Sequence, residues 1–485
     1  MSWFDDVIGI HAGSDRPVVI DAAGLTTGAE LVGRAASAAE LIAGLGDAPP
    51  GSPLPALLTS NADAYALLLG GAAAGRPVAP LGPRLTTMEL AGLVRASGSE
   101  VLVTEPAWCE IADAVGRETG VRVVSLGALR ASATPPPPPT GKIMFYLYTS
   151  GTTGAARRVA FTQEVLAART ALSSKLLELG PDSRYAAASP IHHIGGLGNA
   201  LVAVSSGGAV LPTARFTFEW WRGLRAIGTT HCQLVPTMIE MLLAAGELTA
   251  VPMRMLVYGA SPISPDTLGR VLAALPGVRL VNMFGQTEGS PITCLTAADH
   301  ERAAAGEDRL LATVGRAVPG LRLRIDGPDD EGVGEVLAAA GHLGVRGEDG
   351  WLRTGDLGAL DDQGYLRLAG RRHDMVIRGG ENVYPLEVEH VLANHPAIAA
   401  AGVVGVPDQR LGETLAAFVV AADPARPPGP DELRRFTRAR LAGFKVPAYW
   451  YVVDELPLSH AGKVMRAALR DRHMAAAESS AARTG

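Results

Sequence analysis

The sequence predicts an α/β fold in parts: a large N-terminal α/β domain with a small β-rich subdomain, followed by a small C-terminal α+β domain. Three observations predict it. Helical patterns alternate with short apolar strands through the first 300 residues. From about residue 310 the texture changes to short strands parted by Gly, Asp and Pro turns. Beyond Gly370-Arg-Arg-His-Asp374 a mixed α and β pattern returns.

The chain has 485 residues, several times the usual size of one compact domain, so more than one core is expected. In the first part the strand candidates are Leu54 to Leu58, Val78 to Pro80 and Val101 to Thr104. Ala133 to Thr140 holds five consecutive prolines, which suit neither a helix nor a central strand and read as an extended linker, about 133–140. Ile143 to Tyr148, Met255 to Tyr258 and Leu280 to Phe284 read as further strands. Leu321 to Ile325 and Gly334 to Leu337 belong to the β-rich stretch, about 310–370. The N-terminal domain is thus expected over 1–370.

In the C-terminal domain, Pro385 opens a helix with Val388, Val391 and Leu392 on one face. Ala401 to Val406 and Leu415 to Val420 read as strands. Asp431 to Leu441 reads as a helix with acids first and bases later, matching the helix dipole. Residues 475–485 are small and polar and are expected to be a disordered tail.

Hydrophobic residues make up 47% and charged residues 19%, which suits a soluble globular protein. A formal net charge of −6 gives no electrostatic reason to expect nucleic acid or an anionic membrane as partner. Cys109, Cys232 and Cys294 are far apart, with no CxxC or Cys/His cluster, so a disulfide framework or structural zinc is not expected. The N-terminus lacks a basic segment followed by an apolar run, and no apolar run approaches the ~20 residues of a membrane span. A cytoplasmic enzyme is expected.

The strongest chemical signal follows the strand that begins at Ile143. Thr149, Ser150, Gly151, Thr152, Thr153 and Gly154 supply two glycines and four hydroxyls in six residues. Glycines let successive N–H groups converge on one anion, and hydroxyls add donors. Arg157 and Arg158 follow with positive charge. This is neither a Walker loop nor a G-x-G-x-x-G fingerprint, and by composition alone it reads equally as a flexible surface loop.

The loop resembles the phosphate loop of the acyl-adenylate-forming superfamily, which contains acyl- and aryl-CoA synthetases, adenylation domains and luciferases. Four further motifs follow in the family's order. Pro190 to Gly196 resembles the gate motif, which implies that His193 stands beside the acid pocket. Asn282-Met283-Phe284-Gly285-Gln286-Thr287-Glu288 resembles the Tyr-Gly-x-Thr-Glu signature. The resemblance implies that Phe284 packs on adenine, Thr287 contacts the α-phosphate and Glu288 holds Mg²⁺. A carboxylate beside a hydroxyl suits a hard cation bridging phosphates. Trp351 to Asp356 resembles the motif whose aspartate binds both ribose hydroxyls, and Arg371 matches the arginine that also reaches the nucleotide. Pro457 to Lys463 resembles the loop delivering a catalytic lysine, so Lys463 would bridge the acid and the α-phosphate.

The resemblance also implies pocket walls around His193, Leu234 to Met238, Gly259, Ala260, Ser261 and Asn282 to Phe284, with Gly259 to Ser261 bordering the nucleotide. It implies a hinge over 371–375, with His373 at the pivot, and a mobile lid over 376–474. A thiol tunnel would run past Arg378, Gly379, Gly380 and Glu381. ATP, Mg²⁺ and coenzyme A are the implied cofactors, and a small-molecule carboxylic acid is the implied substrate.

Three departures stand out. The phosphate loop continues as Ala155-Ala-Arg-Arg158 where the family usually has x-Pro-Lys-Gly; Phe284 lacks the tyrosine hydroxyl; and His373 replaces the usual Asp or Lys. The leading expectation is an AMP-forming acid–CoA ligase acting on an aryl or medium-length acyl acid. The alternatives are transfer to a carrier-protein thiol or to a nitrogen nucleophile, including diazotase-like activation of nitrite, and a non-catalytic nucleotide-binding relative.

Overall fold

The computed structural model describes residues 2–149, 157–379, 381–459 and 463–481. Two mainly parallel sheets form the first part. One has six strands in the order Arg122–Ser125, Val101–Thr104, Leu54–Leu57, Val78–Leu81, Ile143–Thr149 and Arg157–Thr162. Its last two strands form an antiparallel pair that places Thr149 opposite Arg157. The other has nine strands. Its parallel centre runs Arg279–Gln286, Met255–Gly259, His231–Leu234, Arg184–Ala187 and Ala209–Pro212.

Strands such as Leu54–Leu57, Val101–Thr104 and His231–Leu234 are buried along their whole length. Helices cover the faces of parallel sheets, which is why these strands read as continuous apolar runs rather than alternating ones. Residues 133–140 carry neither helix nor strand.

The β-rich stretch is a four-stranded antiparallel sheet of Arg322–Asp326, Gly334–Ala339, Leu352–Leu360 and Leu366–Arg371. Its last two strands set Asp356 opposite Arg371. A turn over 372–374 leads to the last part, whose sheet pairs Ile398–Asp408 with Gly412–Ala421 along their length. Val376, Val388, Leu392, Val403, Leu415 and Leu433 close a core of their own there.

Two expectations change in this part. The helix expected to reach Leu441 spans Pro430–Arg438. The final helix runs Arg466–Ala481, so the expected tail from 475 is helical to Ala481, where three consecutive alanines favour the helix. Residues 482–485 lie outside the described residues. Among the described residues no helix is long and apolar enough to cross a membrane.

Candidate active site

The site grows from strand ends. Met255–Gly259 and Arg279–Gln286 run parallel, with Tyr258 beside Asn282 and Gly259 beside Met283. A Cβ on Gly259 would stand 2.5 Å from the Met283 carbonyl oxygen, so the two backbones meet only because position 259 has no side chain. Ala260 follows with φ +71°, a left-handed conformation that costs a non-glycine residue about 1–2 kcal/mol. Ser261 is partly exposed beside it. Phe284 is half-buried and packs on the main core.

Thr287 and Glu288 occupy the turn between Arg279–Gln286 and Gly289–Leu295. The main-chain oxygen of Glu288 accepts from the Gly344 and Val345 amides at 3.1 and 3.2 Å, which moors the turn to the neighbouring loop. Its carboxylate Oε1 accepts from Thr149 Oγ1 at 3.3 Å. The end of the strand entering the Ser/Thr/Gly loop is thereby joined to the acidic turn. Ser150, Gly151, Thr152, Thr153 and Gly154 lie outside the described residues. Beyond the loop the two arginines part: Arg157 is exposed, while the Arg158 guanidinium lies 4.9 Å from the Tyr146 ring centroid.

Asp356 lies within the long strand Leu352–Leu360. Arg371 Nε contacts its Oδ1 at 2.7 Å, while the buried Oδ2 has no hydrogen-bond partner. Burial pushes the Asp356 carboxyl up to about 6, against the opposing pull of Arg371 and Lys463. Asn282 Oδ1 and Gln286 Nε2 are also buried without partners. Buried polar atoms are rarely left unpaired, so these three are candidate contacts for a polar ligand.

Lys463 comes from the C-terminal part. The loop that carries it is closed by hydrogen bonds from Ser459 N to the Lys463 oxygen at 2.7 Å and from Met465 N to the Pro457 oxygen at 2.8 Å. The residue keeps exposed surface, yet desolvation lowers its pKa; Arg371 adds to that, and Asp356 and Glu288 oppose it. The lysine, both acids and Arg371 therefore share one electrostatic field, although they come from three separate stretches of chain.

On the other side, His193 caps helix Ile194–Ser205, and its ring centroid is 4.4 Å from that of His192. Strand alternation sends Leu234 and Gln233 to opposite faces of the sheet. Leu234 is fully buried among Trp221, Leu224 and Tyr258. Gln233 is the one that reaches helix Ile194–Ser205, accepting from Asn199 Nδ2 at 3.3 Å.

At the start of the C-terminal part, His373 lies in the 372–374 turn, with Nε2 3.7 Å from Asp374 Oδ1. Arg378 Nη1 donates to the Phe444 and Val446 oxygens at 2.7 and 2.8 Å. Gly379 turns the chain there with φ +61°, and Glu381 is exposed in the strand beyond. Gly380 lies outside the described residues.

Comparison with known families decides the identity. Residues 10–350 match the family model of the AMP-binding enzymes, and residues 387–463 match that of the AMP-binding enzyme C-terminal domain. The chain belongs to the acyl-adenylate-forming superfamily. It is an ATP-dependent, AMP-forming ligase. It is 34% identical over 443 residues to the fatty acid–[acyl-carrier-protein] ligase ScoC of Streptomyces coeruleorubidus, covering 84% of each chain. It is 32% identical over 476 residues to the sulfoacetate–CoA ligase of Cupriavidus necator, covering 91% of this chain and 90% of that one. Among solved structures, the amide bond synthetase McbA from Marinactinospora thermotolerans superposes with a TM-score of 0.85 at 29% identity, over 97% of this chain and 99% of that one. These three relatives bear names with three different acceptors.

Some polar residues of this adenylate-forming chain belong to none of the motifs. Arg169, Asn199 and Gln233 form a buried polar group behind His193. One signal in the sequence points to it. Arg169 falls at helical spacing with Leu166, Leu172 and Ser173, so a charge stands on a buried stripe.

Proposed function

We propose that the protein adenylates a carboxylic acid with ATP and then passes the acyl group to the thiol of coenzyme A. The observation that carries this reading is the shared field of Lys463, Glu288, Asp356 and Arg371. In adenylation a carboxylate attacks the α-phosphate and pyrophosphate leaves. The attacker is already an anion, so the protein must neutralise crowded negative charge and hold the groups in line rather than supply a strong base. Lys463 is the cation suited to bridge acid and α-phosphate. The open Oδ2 of Asp356 suits the ribose hydroxyls, because an ionised carboxylate only accepts. Phe284 would cover the adenine, and Thr287 and residues 149–154 would donate to phosphate oxygens.

Mg²⁺ fits this donor set as an ion held by one protein carboxylate and by phosphate oxygens. Glu288 offers that carboxylate, and no group of three His, Cys, Asp or Glu among the described residues forms a closed cage. When bound, it supplies charge neutralisation to the leaving pyrophosphate. Arg371 anchors Asp356, and His193 would border the acid.

The thioester step is supported by the short hairpin carrying Arg378, Gly379 and Glu381 and by the resemblance to CoA ligases. Rotation about 371–375 would bring that hairpin to the site after adenylation. Transfer to a carrier-protein thiol is the second reading, and the ScoC relationship favours it.

Mass spectrometry of the purified protein with ATP, Mg²⁺ and a pool of aryl and alkyl acids, with and without coenzyme A, tests the proposal. A CoA thioester with AMP supports it. Acyl-AMP and pyrophosphate without thioester would move the acceptor to a carrier protein or amine. Failure of every acid to release pyrophosphate would overturn the adenylation of carboxylic acids.

A further inference from the structure

Arg169 is 3% exposed, in the buried face of helix Gln163–Leu176. Its Nη1 donates to the Ser290 oxygen at 2.7 Å and its Nη2 to Asn199 Oδ1 at 3.2 Å; Nε is buried with no partner. Both acceptors are neutral, and among the described residues no carboxylate pairs with it. Burial pushes the guanidinium down to about 10, which still leaves it charged at neutral pH. An unpaired buried charge is costly, and folded chains rarely keep one without a counter-charge.

Its neighbours place this cation behind the acid side of the site. Nη2 lies 2.5 Å from where a Cβ on Gly198 would stand, and Ile194 Cδ1 lies 2.9 Å from the same point. Both residues belong to the helix that His193 caps. Ser290, which Arg169 grips, packs 2.9 Å from where a Cβ on Gly285 would stand, one residue beyond Phe284. Asn199 and Tyr185 both converge on Gln233 Oε1, at 3.3 and 2.8 Å. Gly195, Gly196 and Gly198 strip side chains from the first turns of that helix. The packing behind this helix is thus polar and cationic rather than apolar.

We propose that Arg169 sets substrate specificity from the inner end of the acid pocket, and that the acid activated carries a second anionic group, a carboxylate or sulfonate, remote from the carboxylate that is adenylated. This rests on the adenylation reading above. The remote anion completes the charge balance of Arg169 and occupies the donor that Nε leaves open. Asn199 and Gln233 orient the guanidinium from the side.

The test compares matched acids: hexanoate with adipate, and benzoate with terephthalate. Binding is read by titration calorimetry with α,β-methylene-ATP present, and turnover by pyrophosphate release with ATP and Mg²⁺. In at least one pair the diacid should bind and turn over about tenfold or more better than its partner. Arg169→Met should collapse that ratio towards one, and Arg169→Lys should keep part of it. The wild-type ratio carries the test even where a variant fails to fold. Monoacids binding as well as diacids in every pair, no diacid binding at all, or equal losses for both acids in Arg169→Met would overturn the proposal. Arg169-dependent binding of a diacid without pyrophosphate would keep the pocket assignment and sink the adenylation reading instead.

Discussion

Two charged clusters in this protein are built alike and finished differently. Around Arg466, Glu389 and Asp374 bind the guanidinium from two sides, at 3.0 Å for both Nη2–Glu389 and Nε–Asp374, and the Val403 oxygen takes a further donor at 2.7 Å. The guanidinium is answered by two carboxylates and its donors are used, so the cluster ties the final helix to the sheet and to the 372–374 turn. Around Asp356, one oxygen holds Arg371 and the other holds nothing, while Lys463 and Glu288 stand within electrostatic reach. The closed cluster contributes stability. The open one keeps a raised carboxyl and a lowered ammonium, the condition expected where a ligand is still to come.

Substitutions can break that contrast. The largest effect should come from Lys463→Ala, which removes the cation proposed to face the α-phosphate. Pyrophosphate release should fall about 10²–10³-fold, while thioester formation from supplied acyl-AMP continues. Equal loss of both steps would contradict a lysine that serves adenylation alone.

Arg466→Met should act on stability instead. It strands Glu389 and Asp374, both largely buried, and should cost roughly 3 kcal/mol. Thermal or denaturant unfolding would show the loss, with KM for ATP little changed. A normal melting temperature would mean that the cluster holds nothing together.

Asp356 offers a pH test with a definite sign. Its carboxyl titrates at about 6 in the folded protein against 3.8 in the unfolded chain, a difference worth about 3 kcal/mol. A raised acid contributes stability below its unfolded pKa and loses it as pH climbs through the folded one. The stability gap between Asp356→Asn and the nucleotide-free wild type should therefore move in the variant's favour from pH 4 to about 6, then level off. A flat gap would mean that Asp356 is not desolvated.

The smallest expected effect is kinetic. Asp356→Asn should lower kcat/KM for ATP by about tenfold to hundredfold, the worth of hydrogen bonds to a charged acceptor. The penalty should shrink with 2′-deoxy-ATP. An identical penalty with both nucleotides would remove the ribose assignment.

Motifs whose meaning is local are legible in the amino-acid order. The hydroxyl- and glycine-rich loop after a strand, the Thr287-Glu288 pair at a strand end and the change of texture near 310 depend on neighbours in sequence. Turn chemistry and strand period carry that information. Facing is less legible. One residue of register separates Leu234, sealed in the core, from Gln233, which reaches the helix behind His193.

Residue order alone carries the fold class, the order of the motifs and the family they identify, because glycines, prolines and apolar periods act over a few residues. Packing between distant segments settles which charges are answered. Arg466 and Arg169 are both largely buried arginines, yet one meets two carboxylates and the other meets none among the described residues. That difference depends on residues brought close from far along the chain, and on burial, which raises the energetic weight of every charge left without a partner.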